Sequence, residues 1–268
     1  MEQTAMSDRS KKFQLLVFFI IASAIPFAIL VSIALLPEFY DWWYGRPFAY
    51  EVAVLEAAQQ LGYDFVSTNL IERVPGVMLE PVLSIALIYA AAPTIAAVIV
   101  ILAMSNKAAW QDFVGRYNPF RQSQSHKRTL LLYGSLVAVS LAIRVPVVMI
   151  GGLDTIDFSD VVSITALYTL AAYALVDQGG LLEEGGWRAF ALPYLLDKMK
   201  TPLRASIFLG LVWSFWHIPR DLLSWDRTAL DFIVEYGVFT FGTVTTSIVI
   251  TYFFNVLGGS VWPAIIFH

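Results

Sequence analysis

Long apolar stretches make up most of this chain, and the charged residues lie mainly between them. Mostly apolar runs of about 20 residues recur along the sequence, which is the length that an α-helix needs to cross a bilayer. The longest lie at about Phe13–Leu36, Val82–Met104, Thr129–Ile150, residues 161–196, Ala205–Ile218 and Leu230–Val256. A shorter apolar run follows Gly258 and Gly259. The pattern predicts an all-α protein, a polytopic transmembrane bundle of about seven or eight membrane helices.

The charges between these runs predict the orientation of the chain in the membrane. Lysine and arginine are concentrated in residues 1–12, 105–128 and 197–204, whereas acidic residues dominate residues 37–80 and 151–160. Cytoplasmic loops carry an excess of lysine and arginine. We therefore expect an integral, multi-pass protein of a prokaryotic plasma membrane, with its amino terminus in the cytoplasm.

Residues 161–196 lie between a loop predicted outside and a loop predicted inside, so they must cross the membrane an odd number of times. They are interrupted by two glycine pairs, Gly179-Gly180 and Gly185-Gly186, which favours one long or broken helix over two full crossings. No long linker divides the chain. We expect residues 1–268 to form a single membrane-embedded domain whose functional core is residues 161–268.

The composition excludes several classes of protein. The chain is 58% hydrophobic and only 14% charged, so a soluble domain would expose much apolar surface to water. Because there is no cysteine, disulfides, thiolate metal sites and cysteine nucleophiles are excluded. The formal net charge of -4 argues against a nucleic-acid partner. No glycine-rich phosphate loop is present, and we expect no nucleotide.

Two adjacent carboxylates and an arginine, in the segment Leu181–Arg188, lie within one of the most apolar regions. A charge at membrane depth costs at least about 2.5–3.5 kcal/mol, so such residues usually pair or line a polar cavity. On a helix, Glu184 and Arg188 share a face and can form an ion pair, while Glu183 points about 100° away. The pair alone could simply hold helices together, but that role does not require Glu183.

Two histidines belong to the same carboxy-terminal third of the chain. Trp213 and His217 are four residues apart and share a helical face, and Pro219 predicts a kink just after them. His268 follows the apolar run that begins at Ser260 and includes Pro263 near the start of a possible helix.

With these residues in place, the chain resembles the CAAX prenyl protease and bacteriocin-processing family of intramembrane proteases, also called the Abi family. Its hallmarks are a Glu-Glu-x-x-x-Arg motif, an aromatic-x-x-x-His motif and a final His-x-x-x-Asn or His-x-x-x-Asp motif. Glu183-Glu184-x-x-x-Arg188 fits the first, and Trp213-x-x-x-His217 fits the second with tryptophan where phenylalanine is usual. His268 fits the start of the third motif, whose last position would be residue 272. We therefore expect the given sequence to be truncated.

The resemblance implies an endopeptidase that hydrolyses a membrane-associated or prenylated peptide or protein within the lipid bilayer. Glu183 with His217 would activate a water molecule, and His268 would help to bind the oxyanion. Glu184 and Arg188 would hold the motif helix in place, with Trp213 as a further supporting residue.

The same Glu183, His217 and His268 could instead bind zinc, because two histidines and a carboxylate form a common catalytic zinc triad. The His-Glu-x-x-His pattern is absent, so we favour catalysis without a metal or other cofactor. Two other functional classes stay open at this point. One is a non-catalytic membrane immunity or scaffold protein that retains the fold, and the other is a proton-coupled transporter that uses the carboxylates as a relay.

Overall fold

All regular segments in the described part of the chain are helices. The computed structural model describes residues 8–44, 70, 84–121, 125–150, 175, 177–223 and 228–268. The helices are α1 (Asp8–Tyr44), α2 (Ser84–Met104), α3 (Lys107–Gly115), α4 (His126–Ile150), α5 (Gln178–Leu182), a π-helix (Gly185–Ala191), α6 (Leu192–Lys198), α7 (Pro202–Trp216), α8 (Ile218–Leu223), α9 (Ala229–Val256) and α10 (Trp262–Phe267).

The helices confirm the predicted all-α membrane bundle. Within the described ranges, three helices are long and apolar enough to cross a bilayer: α1, α2 and α9. The observed bounds of α2 and α9 lie within two residues of those predicted from hydropathy. Of the predicted outside loops, residues 45–69 and 71–80 of the first and all of the second, 151–160, lie outside the described residues. Residues 161–174 of the predicted broken helix do so too.

Helix α1 is longer than predicted. Hydropathy placed its end at about Leu36, but the helix continues to Tyr44 and has 37 residues. Hydropathy marks where the apolar run ends, whereas the i to i−4 hydrogen bonds of a helix do not require an apolar surrounding. The prediction of a loop that begins at residue 37 was therefore wrong for residues 37–44.

The predicted kink near Pro219 is a break between two helices. Helix α7 ends at Trp216, and α8 begins at Ile218, so that His217 lies between them. Proline has no backbone N–H to donate and its ring clashes with the preceding turn, which stops α7 from continuing through Pro219. The break leaves His217 at the end of α7 rather than within a continuous helix.

The predicted broken helix is confirmed for the described residues 177–198. The segment consists of α5, the π-helix and α6 in succession, with the two glutamates at the junction between α5 and the π-helix. Thr94 of α2 bridges this junction, since its Oγ1 donates to the carbonyl of Leu182 at 2.5 Å and accepts from the N–H of Gly186 at 3.1 Å. Thr94 thereby satisfies backbone groups that a break at membrane depth would leave unpaired.

The π-helix lies at the centre of the bundle, and each of its residues is buried. Trp187 packs between α1 and α7, with its ring centroid 5.6 Å from Phe18 and 5.8 Å from Trp216. The indole N–H of Trp216 also donates to the carbonyl of Ala22 in α1 at 2.9 Å. These contacts fix the position of the π-helix, and therefore of the glutamates that precede it, relative to α1, α2 and α7.

Gly186 permits the close approach of α2 to the π-helix, and we predict that alanine is not tolerated there. A Cβ atom at Gly186 would lie 2.3 Å from the backbone carbonyl carbon of Pro93. Since neither backbone can move without disturbing the centre of the bundle, Gly186→Ala should destabilise the protein by roughly 1–3 kcal/mol. Thermal unfolding in detergent measures this.

Gly237→Ala provides the matched control, because a Cβ atom at Gly237 in α9 would meet nothing within 4 Å. Alanine has the higher helix propensity, so this variant should unfold at the wild-type temperature or slightly above it. Equal melting temperatures for the two variants would contradict the packing argument.

Candidate active site

The three residues assigned to catalysis meet around one tryptophan, although they lie on separate elements. The Nε1–H of Trp213 donates to Oε2 of Glu183 at 2.9 Å. The ring centroid of Trp213 is 5.8 Å from that of His217 and 5.5 Å from that of His268. Sequence reasoning gave Trp213 a supporting role, and the structure shows that it contacts each of these three residues.

Glu183 is 6% exposed, so its carboxylate is largely removed from solvent. Its Oε2 accepts from Trp213 and lies 3.7 Å from Nε2 of His268. The backbone carbonyl of Glu183 accepts from the N–H groups of Gly186 and Trp187 at 3.0 and 3.1 Å, which fixes the main chain at the junction. A carboxylate that is held out of bulk water beside a histidine can accept a proton from a bound water molecule.

His217 is also buried, and the hydrogen-bond partner of its ring determines which ring nitrogen is protonated. Nδ1 lies 2.8 Å from the carbonyl oxygen of Trp213. Because a carbonyl only accepts, Nδ1 must be the donor, and in the neutral ring the lone pair is on Nε2. The ring packs between Trp216 and Phe239, with centroid distances of 4.8 and 5.1 Å. His217 is therefore fixed in an orientation that leaves Nε2 as the basic nitrogen.

His268 lies between two carboxylates. Nδ1 is 3.1 Å from Oδ2 of Asp177, and Nε2 is 3.7 Å from Oε2 of Glu183. Its ring also rests on the backbone of Gly179, where a Cβ atom would approach Cε1 to 2.1 Å. The glycine at position 179 is thus required for this position of the ring.

Sequence reasoning missed Asp177. Its side chain caps α5 by accepting from the N–H of Gly180 at 3.0 Å, and the same carboxylate contacts His268. The available signal was an aspartate just before a Gly-Gly pair in an apolar segment, which is typical of a helix N-cap. That signal predicts the cap but not the contact with a histidine far away in the sequence.

The ion pair between Glu184 and Arg188, expected from their spacing, is present. Nη1 of Arg188 lies 2.9 Å from Oε1 of Glu184, and neither side chain is exposed. The guanidinium carbon of Arg188 is also 4.4 Å from the ring centroid of Trp213, which is within the range of a cation–π interaction. The pair therefore joins the π-helix to the tryptophan that contacts Glu183.

The predicted zinc ligands were tested against this geometry. Among the residues that the structure describes, no group of three His, Cys, Asp or Glu side chains is arranged to hold a metal ion. Glu183, His217 and His268 do not form such a group in this arrangement.

Comparison with known proteins adds independent evidence on the family. The family described as "Type II CAAX prenyl endopeptidase Rce1-like" matches residues 163–268, which include the first two motifs and His268 at the start of the third. The carboxy-terminal part of the chain is similar to the CAAX prenyl proteases. A similar curated protein is "CAAX prenyl protease 2" from Methanococcus maripaludis, which is 27% identical over 184 residues.

That alignment spans 66% of this chain and 66% of the archaeal relative, so about a third of each sequence lies outside it. No solved structure matches the chain. The similarity to this family and the apolar helices together indicate an integral membrane protein. The residues that act on the substrate, and the substrate itself, are not given by this match.

Proposed function

We propose that this protein is an intramembrane endopeptidase that hydrolyses a peptide bond by water attack. The observation that supports it best is the arrangement of Glu183, His217 and His268 around Trp213, in which Glu183 and His217 are buried. A carboxylate and an imidazole that are held by fixed partners can act as acid and base in a site shielded from bulk water. In this proposal Glu183, His217 and His268 are the catalytic residues.

Glu183 and His217 would share the general-base role. Glu183 accepts a proton as the water oxygen attacks the peptide carbonyl, and Nε2 of His217 offers a second basic atom beside it. His268 would donate from Nε2 to the negatively charged oxygen of the tetrahedral intermediate. When the C–N bond breaks, the proton held by Glu183 passes to the departing amine, which leaves a carboxylic acid product and restores the site.

Glu184 and Arg188 would keep the junction in place rather than act on the substrate. Their pair is fully buried, and each side chain has the other as a charged partner. A fixed support of this type matters because catalysis depends on positions accurate to about 0.5 Å.

The substrate that we propose is a membrane-bound peptide or protein whose cysteine carries a prenyl group. This part of the proposal rests on the name of the archaeal relative and on the description of the matching family. A lipid chain also concentrates a peptide in the bilayer, which the three long apolar helices are long enough to cross.

A peptide panel tests the proposal. The full-length protein in liposomes should cleave a peptide that ends in a prenylated cysteine followed by three residues. The same peptide without the prenyl group should react at least roughly tenfold more slowly, because it partitions poorly into the bilayer. Absence of cleavage of every peptide by a folded protein would contradict the peptidase function. Equal rates with and without the prenyl group would contradict only the substrate.

Metal independence and membrane orientation are further parts of the proposal. Zinc at one equivalent per active chain, with activity that disappears on its removal and returns with its addition, would overturn the metal-free mechanism. The cytoplasmic amino terminus stays a prediction from charge. Because the chain has no native cysteine, single introduced cysteines can be labelled from either side of the membrane to test it.

A further inference from the structure

We propose that Asp177 is a positioning residue for His268, and that its carboxylate holds the imidazole in the orientation that the reaction requires. The inference rests on the proposed peptidase function and deepens it. It begins from the contact between Oδ2 of Asp177 and Nδ1 of His268 at 3.1 Å. Asp177 lies outside the three motifs that the sequence analysis identified.

Asp177 is itself held in place, so it can orient another residue. Its carboxylate accepts from the N–H of Gly180 at the start of α5, which fixes the side chain relative to the helix that leads to Glu183. Five residues separate this cap from the catalytic glutamate, and α5 connects the two. A shift of Asp177 would therefore be coupled to a shift of Glu183.

The ring of His268 is confined on its other sides as well. It packs on Gly179 with no room for a Cβ atom, and its centroid is 5.5 Å from that of Trp213. These two contacts set the plane of the ring, but a 180° turn about the Cβ–Cγ bond would keep that plane and put Cδ2 and Cε1 where Nδ1 and Nε2 now lie. A group that binds Nδ1 but not Cδ2 selects one of these two orientations.

The carboxylate of Asp177 selects the orientation of the ring. An ionised carboxylate only accepts hydrogen bonds, so it requires a hydrogen on the facing Nδ1. Nε2 is then the nitrogen that faces Glu183, at 3.7 Å from Oε2. When the ring donates from Nε2 to the oxyanion it carries a positive charge, and the negative charge of Asp177 compensates it. Catalytic and metal-bound histidines are often oriented by a carboxylate in this way.

Two substitutions separate this role from helix capping. Asp177→Asn is nearly isosteric and caps a helix as well as aspartate does, but it removes the negative charge and presents an amide that can also donate. Asp177→Ser keeps a capping oxygen on a side chain too short to reach His268. If Asp177 only caps α5, both variants should retain activity. If it positions His268, both should lose it while remaining folded.

We expect kcat to fall about 10- to 100-fold in both variants, with KM changed less than about threefold and the melting temperature nearly unchanged. The controls are the wild-type protein and Glu183→Gln, assayed on the same prenylated peptide. An active wild type, an inactive Glu183→Gln protein and fully active Asp177 variants would overturn this inference while the proposed function stands. An inactive wild type would overturn the proposed function.

Nitrogen NMR of the imidazoles reports the orientation without depending on activity. The chain contains three histidines, and His126→Gln removes the one at the start of α4 and leaves His217 and His268. In the wild type, Nδ1 of His268 should have the chemical shift of a protonated nitrogen. In Asp177→Asn and Asp177→Ser that signal should move toward the unprotonated position, while the signals of His217 stay in place. An unchanged His268 signal in both variants would overturn the proposal whatever the activity shows.

Discussion

Replacing Glu183 with glutamine should abolish peptide hydrolysis and leave the protein folded. The amide is the same size as the carboxylate, and its oxygen can still accept the 2.9 Å hydrogen bond from Trp213. It cannot accept a proton from water at neutral pH. Loss of a general base typically costs about 10²- to 10⁴-fold in rate, and we expect a loss at the upper end because Glu183 would also return the proton to the leaving amine.

The measurement is the initial rate of cleavage of a prenylated peptide, together with the melting temperature of each variant. Wild-type activity in a well-folded Glu183→Gln protein would refute the mechanism. Glu184→Gln is the matched control, because it makes the same chemical change at the next residue, where the carboxylate faces Arg188 instead of the site. The control should retain more activity and lose more stability than Glu183→Gln does.

Breaking the buried ion pair should reduce stability more than it reduces activity. Glu184 and Arg188 are fully buried and 2.9 Å apart. Removing one member leaves the other charge buried without compensation, which typically costs about 3–5 kcal/mol. Arg188→Met and Glu184→Gln should therefore each lower the free energy of unfolding by an amount of that order. Arg188→Met also loses the cation–π contact with Trp213, which lies 4.4 Å from the guanidinium carbon.

A double-mutant cycle tests whether the two residues act as a pair. In the double variant neither buried charge remains, so its stability should exceed that of Arg188→Met and the two single losses should not add. Unfolding in detergent, followed by heat or by denaturant, gives the four free energies. Strict additivity would show that the two residues stabilise the bundle through separate contacts.

The positions of the apolar helices follow from the sequence because their cause is local. Helices α2 and α9 begin and end close to where hydropathy changes, since a bilayer-spanning segment must be apolar along its length. The ion pair of Glu184 and Arg188 is also local, because side chains four residues apart on a helix are neighbours whatever surrounds them. For the same reason, helical geometry alone predicts that the side chain of Glu183 points away from that pair.

The family resemblance predicted catalytic roles that reasoning from neighbouring residues could not predict. The motif residues Glu183, Trp213, His217 and His268 do come together in the structure, although nothing in their spacing required it. Their catalytic roles stay predictions until the variants are assayed. The extent of α1 beyond residue 36 was missed, because a helix can continue where its surroundings stop being apolar.

The sequence by itself determined that this is a helical membrane protein with a charged cluster in an apolar segment, since composition and short-range periodicity decide both. The tertiary structure decided how that cluster is built. The π-helix depends on α2. Thr94 of that helix forms hydrogen bonds with backbone groups of the junction, and Pro93 leaves no room for a side chain at Gly186. The contact of Asp177 with His268 depends on the packing of α10 against α5, which brings together residues that are distant in the chain. Contacts of this type arise from the packing of whole helices, and no local pattern of residues encodes them.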